Sequence, residues 1–198
     1  MSTLHLLLIA VATYLVAAIP TGLVLARLLG YDDVRQKGSG NIGATNVYRV
    51  AGKLPGVLTL LGDILKGWLP LLLIDRLLAP TPGQLGLLGV VAIAGHCYPV
   101  YLRFRGGKGV ATAVGIFLVL APQALLGALI VFLLAVGLSR YISLGSVLAA
   151  ASLPLFVLAF DRPQPLVVST LLIALLVIWR HRSNIRRLLA GTENRFTF

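Results

Sequence analysis

Acidic side chains are scarce in this chain: six Asp and Glu stand against 17 Lys and Arg in 198 residues, a formal net charge of +11. That scarcity excludes a carboxylate-rich site for a hydrated divalent cation, since no two acids fall together in the polar motifs described below. No metal and no other cofactor is expected. Cysteine is scarcer still: Cys97 is the only one, so no intrachain disulfide can form and no thiolate zinc cluster can be assembled. Charged residues make up only 12% of the sequence, 58% is hydrophobic and the mean hydropathy is +0.95. Soluble domains carry roughly twice that charge, so an integral membrane protein is expected.

Long apolar runs are abundant. They lie at about 4–29, 55–79, 84–102, 108–121, 123–138, 144–160 and 164–180, and a helix needs about 20 apolar residues to cross the hydrocarbon. The pattern predicts an all-α, polytopic bundle of seven transmembrane helices, one domain over 1–198 with no linker. Residues 4–29 are too long for a signal-peptide core and lack a basic flank and a small-residue cleavage site, so they read as a retained first span. With the N-terminus external, nearly all Lys and Arg fall on the cytoplasmic side. Only Arg76 and Arg162 remain outside, beside Asp75 and Asp161, and Lys66 falls within a span. This bias sets the orientation. The cations are divided among short loops and form no continuous stripe, which argues against a nucleic-acid partner.

Three polar runs interrupt the oily sequence: GSGNIGATNVYR at 38–49, RFRGGKGVAT at 103–112 and WRHRSNIRRL at 179–188. In the first, Gly38, Gly40 and Gly43 allow close backbone approach to an anion, Ser39, Asn41, Thr45 and Asn46 add donors, and Arg49 can grip two phosphate oxygens. The run is not a Walker A loop and no strand pattern precedes it, so nucleotide binding gains no support. In the second, Gly106, Gly107, Lys108 and Gly109 open a span, where free amides and the helix dipole attract anions. A tight interhelical turn with a snorkelling Lys is the plainer reading of the same residues.

Other polar residues sit near the same side. His96 is the titratable group nearest neutrality, either hydrogen-bonded structurally or catalytic. Ser143 and Ser146 start the sixth span on one face, serving as an N-cap or as ligands. His181 and Asn184 share a face at the inner end of the seventh span, among arginines that read mostly as headgroup anchors. Asp63 and Lys66, three apart inside the second span, read as a mutually neutralising pair.

Taken in order, GSGNIGATNVYR, GHCYPVYLRFRGGKGVAT, SLGS and HRSN resemble the PlsY family, bacterial glycerol-3-phosphate acyltransferases that use acyl phosphate, over the chain to about residue 188. The resemblance implies a seven-helix enzyme of the bacterial inner membrane with its active site facing the cytoplasm. Its substrates would be glycerol 3-phosphate and acyl phosphate. The fatty acyl group would pass to the sn-1 hydroxyl, giving lysophosphatidic acid and phosphate, in contact with membrane lipid. It further implies that Ser39, Arg49, Lys108, Ser146, His181 and Asn184 line the polar pocket, chiefly as phosphate ligands. The glycines at 38–43 and 106–109 would supply backbone donors.

The H-x-x-x-x-D dyad of other glycerolipid acyltransferases is absent: the residues five after His5, His96 and His181 are Ala10, Tyr101 and Arg186. Acyl phosphate carries its own leaving group, so positioning and electrostatics suffice, with Ser39 or backbone amides meeting the oxyanion and His96 or a substrate phosphate taking the proton. With no Ser–His–carboxylate or Cys–His set, direct transfer without an acyl-enzyme is expected. A transporter for a phosphorylated metabolite and a structural lipid-binding subunit are the rival classes. A transporter would place its site near the midplane through broken helices, not at one interface.

Overall fold

The computed structural model describes residues 1–160 and 162–196; Asp161, expected beside Arg162 on an outer turn, lies outside the described residues. Among these residues the fold is all helical, with ten α-helices in chain order: α1 Thr3–Ala17, α2 Thr21–Leu28, α3 Ala44–Ala51, α4 Lys53–Leu78, α5 Pro82–Cys97, α6 Val110–Leu120, α7 Pro122–Ser139, α8 Ile142–Ala159, α9 Gln164–Arg180 and α10 Arg182–Leu189. Four helical stretches are individually long and apolar enough to cross a membrane, and six if the bent pairs α1–α2 and α9–α10 each count as one. The outward surface is apolar: Leu77, Leu134 and Leu138 are among many large side chains left exposed there, a distribution that suits lipid and not water.

The first apolar run does not form one helix. Pro20 has no N–H to give, so α1 stops at Ala17 and α2 restarts at Thr21 with a 41° bend. A backbone break in hydrocarbon needs its polar groups satisfied, and the Ile19 carbonyl accepts both the Thr21 N–H and the Lys66 ammonium, the latter at 2.8 Å. Lys66 simultaneously pairs with Asp63 at 2.8 Å, so the expected intramembrane ion pair also pins this break.

Two further expectations change. Residues 44–51, where the sequence shows a polar run and no apolar span, form α3, and the inner end of the seventh run bends by 56° so that α10 is separate. The fourth run yields only the short α6, divided from α7 at Ala121 and Pro122.

Apolar side chains gain little from helix–helix contact when lipid is the alternative, so cohesion comes from close backbone approach at small residues. α4 and α6 meet in this way. A Cβ on Gly115 would strike the Ile64 carbonyl and the Trp68 amide, and one on Gly67 would strike the Thr112 carbonyl. The main buried cluster includes Leu71, Ile93, Ile116, Phe117, Val157 and Ile173. A second, smaller cluster of Ala26, Val34, Val47 and Ala51 fastens the polar 34–51 segment onto α2. α5 starts with a reciprocal cap, in which the Thr81 hydroxyl accepts from the Gln84 N–H and the Gln84 side chain accepts from the Thr81 N–H.

Candidate active site

One cavity of about 520 Å³ joins all three polar motifs. Ser39, Asn41, Gly43, Thr45, Asn46, Arg49, His96, Lys108, Gly109, Ser143, Ser146, His181 and Asn184 line it. At the other end its walls are apolar, with Val114, Phe117, Leu125, Ala128, Leu153 and Ile173 contributed by α6 through α9. The space is therefore two-sided: donors and cations at one end, hydrocarbon at the other. Gly38, Gly40, Gly106 and Gly107 do not line it; Gly40 and Gly106 border a neighbouring cavity with Arg35, Arg105 and Arg180.

Loop 37–43 is organised around the buried Asn46. Its Oδ1 accepts the Ser39 N–H at 2.7 Å, and its Nδ2 donates to the carbonyls of Val34, Asn41 and Lys37. Those bonds use both amide hydrogens, which corrects the expectation of Asn46 as a donor to substrate. Gly38 and Gly40 have φ of +63° and +68°, the left-handed region that glycine adopts without strain. A Cβ at Gly38 would fall on the Asn46 Oδ1. Asn41 Oδ1 accepts the Gly43 N–H at 2.8 Å. The amides of Gly40 and Gly43 are thus occupied within the loop, by the Lys37 carbonyl and by Asn41, and are not free for an anion. The Ser39 hydroxyl has no partner among the described residues and faces the cavity with Arg49.

The expected backbone donors at Gly106 and Gly107 are corrected in the same way. Their N–H groups donate to the carbonyls of Cys97 and His96, each at 3.2 Å. Their own carbonyls accept from Arg180, Nη2 to Gly106 at 2.7 Å and Nε to Gly107 at 2.9 Å. Arg180 also lies over the Tyr98 ring at 5.1 Å. It is a clamp on the glycine turn, not a headgroup anchor. The glycines are required because a Cβ at Gly107 would fall on His96 Nε2 and one at Gly106 on the His96 carbonyl. This turn delivers Lys108 to the cavity just before α6 and outside the spanning helices. Burial pulls its ammonium down to about 8, the Arg187, Arg49 and Arg180 cations act in the same direction, and Glu193 opposes them.

His96 is 3% exposed, and its Nδ1 stands 3.7 Å from Asp63 Oδ1. A His–carboxylate arrangement absent from sequence spacing is thus assembled across α4 and α5, although Nδ1 makes no hydrogen bond among the described residues. His181 caps the bend between α9 and α10, with Nδ1 donating to the Val177 carbonyl at 2.8 Å. A carbonyl can only accept, so Nδ1 carries a proton and Nε2 is the ring nitrogen left for the cavity. Ser146 donates to the Ile142 carbonyl at 2.8 Å, and Ser143 is not an N-cap, because α8 begins after Tyr141 without a side-chain cap.

Among the lining residues not singled out from sequence as site residues, Glu193 and Arg187 form an ion pair. Glu193, the chain's one glutamate, accepts from Ser143 Oγ at 2.9 Å, Asn184 Nδ2 at 2.6 Å and Arg187 Nε at 2.6 Å. Arg187, read as a headgroup anchor, faces inward to meet it. A lone Glu in an acid-poor chain was the only available signal. No group of three or more His, Cys, Asp and Glu side chains that could hold a metal occurs among the described residues.

The profile of the family "Glycerol-3-phosphate acyltransferase" matches residues 7–191. Glycerol-3-phosphate acyltransferases of Syntrophotalea carbinolica and Geobacter sulfurreducens are similar at 57% and 55% identity, covering 99% and 97% of this chain and 99% and 97% of theirs. A crystal structure of PlsY, an integral membrane glycerol 3-phosphate acyltransferase, in its glycerol 3-phosphate form is similar with a TM-score of 0.92 at 40% identity, over 98% of this chain and 96% of that one. Its lysophosphatidic acid form is similar with a TM-score of 0.90. An oil-lined cavity ending in a cluster of cations, on a multi-pass helical fold that follows PlsY along nearly its whole length, places this chain in the glycerol-3-phosphate acyltransferase family.

Proposed function

We propose that this membrane enzyme acylates glycerol 3-phosphate at its sn-1 hydroxyl with a fatty acyl group taken from acyl phosphate, releasing lysophosphatidic acid and inorganic phosphate. The observation that carries the reading is the two-sided cavity, whose polar end gathers Arg49, Lys108 and Arg187, a set suited to a phosphate, and whose other end is an apolar shaft suited to an acyl chain.

The reaction needs little covalent help. The glycerol hydroxyl attacks the acyl carbonyl, the tetrahedral oxyanion collapses, and the carbonyl carbon–oxygen bond to phosphate breaks with phosphate as leaving group. The protein's part is to hold both phosphates and aim the hydroxyl. Arg49, Lys108 and Arg187 supply fixed charge, with Thr45, Ser143, Ser146, His181 and Asn184 around them. The Ser39 hydroxyl, with the first-turn amides of α6 after Gly109, meets the oxyanion. The hydroxyl proton passes to a substrate phosphate oxygen or to His96. No step needs a metal or an acyl-enzyme.

In the membrane, α1 with α2, α4, α5, α6, α7, α8, and α9 with α10 count as seven crossings, with the N-terminus external and the polar mouth toward the cytoplasm of a bacterial inner membrane. Residues 1–198 act as one unit. The charge bias of the loops supports this orientation.

Purified protein supplied with acyl phosphate and labelled glycerol 3-phosphate should move label into a lipid extract, and Arg49→Ala or Lys108→Ala should abolish transfer or raise the KM for glycerol 3-phosphate by a factor of about 100 or more. No label in lipid from the wild-type chain, or ordinary kinetics in both variants, refutes the assignment. Acyl adduct trapped on Ser39 would refute direct transfer.

A further inference from the structure

Helix α10 ends in a chain reversal. Gly191 adopts φ +69°, its N–H donates to the Leu188 carbonyl at 3.2 Å, and the Thr192 N–H donates to the Arg187 carbonyl at 2.8 Å. These are the paired bonds of a glycine-terminated helix. Residues 192–196 consequently turn back across the cavity. The far end is fastened: the Phe196 N–H donates to the Arg140 carbonyl at 2.7 Å, the Phe196 ring lies 5.9 Å from that of Tyr48, and the Arg195 guanidinium sits over Tyr141. Between these anchors the Glu193 side chain, only 6% exposed, enters the polar end of the cavity. Burial works against its charge, but hydrogen bonds from Asn184, Arg187 and Ser143 outweigh it and hold the carboxyl below the usual range.

A carboxylate and a phosphate compete for the same donors. We propose that Glu193 selects the acceptor: it occupies the headgroup end of the empty enzyme, and only an acceptor bearing phosphate displaces it and the strap that carries it. The inference rests on the reading above, that Ser143 and Asn184, with Arg187, Lys108 and Arg49, receive the acceptor phosphate. A phosphate brings about −1.5 to −2 charges to donors that Glu193 meets with one. Free glycerol offers the same attacking hydroxyl but nothing to exchange for the carboxylate, so the strap stays seated over it. Glu193 is therefore a specificity-determining residue for the reaction, and its removal should loosen the enzyme in a particular direction.

The test compares the wild type, Glu193→Ala and Asn184→Ala, all with one acyl phosphate and either glycerol 3-phosphate or glycerol as acceptor. Without its internal competitor, Glu193→Ala should show a KM for glycerol 3-phosphate lower by about three- to tenfold, as when a partly closed site is freed. The ratio of rates at saturating acceptor, glycerol 3-phosphate to glycerol, should fall by a similar factor, because glycerol alone leaves the wild-type strap seated, while Asn184→Ala raises that KM. A KM in Glu193→Ala that is unchanged or raised, with acceptor preference intact, overturns the inference while leaving the phosphate reading standing. An unchanged KM in Asn184→Ala overturns both. Should Glu193→Ala fail to fold, a nitroxide on Asn194→Cys in the otherwise intact chain, where Cys97 is buried, decides the matter. Glycerol 3-phosphate should raise its mobility and glycerol should not; no change with glycerol 3-phosphate refutes displacement.

Discussion

The lysine that the glycine turn projects into the cavity makes the enzyme's pH response predictable. Burial lowers Lys108 from the ordinary 10.5 to about 8, so its ammonium is intact below pH 8 and is lost above it. If that charge holds a substrate phosphate, kcat/KM for glycerol 3-phosphate should be level in the range where the phosphate is already a dianion, above about pH 6. It should then fall about tenfold per pH unit beyond 8. At pH 9.5 only about 3% of the lysine remains charged, which sets a drop of about thirtyfold from the plateau. The control is Lys108→Arg, whose guanidinium stays charged past pH 12. Its plateau should be lower because a planar fork replaces a point charge, but the decline above pH 8 should vanish. Initial rates with labelled glycerol 3-phosphate at fixed acyl phosphate, from pH 6 to 10, measure both. A wild-type profile flat to pH 9.5, or an arginine variant that falls along the same curve, would show that the ammonium does not carry the phosphate.

Other perturbations follow from the same geometry. Gly107→Ala would drive a methyl into His96, and kcat should fall by about 100-fold through misplacement of the turn; near-normal turnover would contradict the close approach. Lys66→Met leaves Asp63 unpaired in the membrane and should cost about 3–5 kcal/mol, read as a lower Tm in detergent, with Asp63→Asn/Lys66→Met recovering most of it. Arg180→Lys gives up the forked grip on two carbonyls and should lose about 1–3 kcal/mol, with a fall in kcat exceeding any change in KM. Ala128→Phe fills part of the apolar shaft, and a panel of acyl phosphates should show the preferred chain shortened.

The membrane character and the approximate limits of the apolar helices were legible because both depend on composition and run length. Pro20 announced the bend inside the first run, which run length alone did not show. α3 went unseen because it is short, follows the loop-forming run at 38–43 and holds the weak helix formers Thr45, Asn46 and Val47, and the contact that orders the segment, buried Asn46 serving four backbone groups, is tertiary. Motif content identified which residues gather at the cavity but misassigned what several do there. Gly106 and Gly107 looked like anion donors, whereas their amides are consumed by Cys97 and His96. Glu193 was passed over because it stands outside any motif; only the chain reversal at Gly191 brings it to Ser143 and Asn184. The His96–Asp63 approach likewise joins residues 33 positions apart, which no local spacing rule could detect.

The division of the cavity into a cationic end and an oily one has a consequence for how turnover finishes. Lysophosphatidic acid, like acyl phosphate, carries a phosphate and a hydrocarbon tail on one molecule and so complements both compartments at once. The finished lipid should therefore compete with the donor for the same space, and a fresh bilayer that dilutes it laterally should relieve that competition and speed the enzyme.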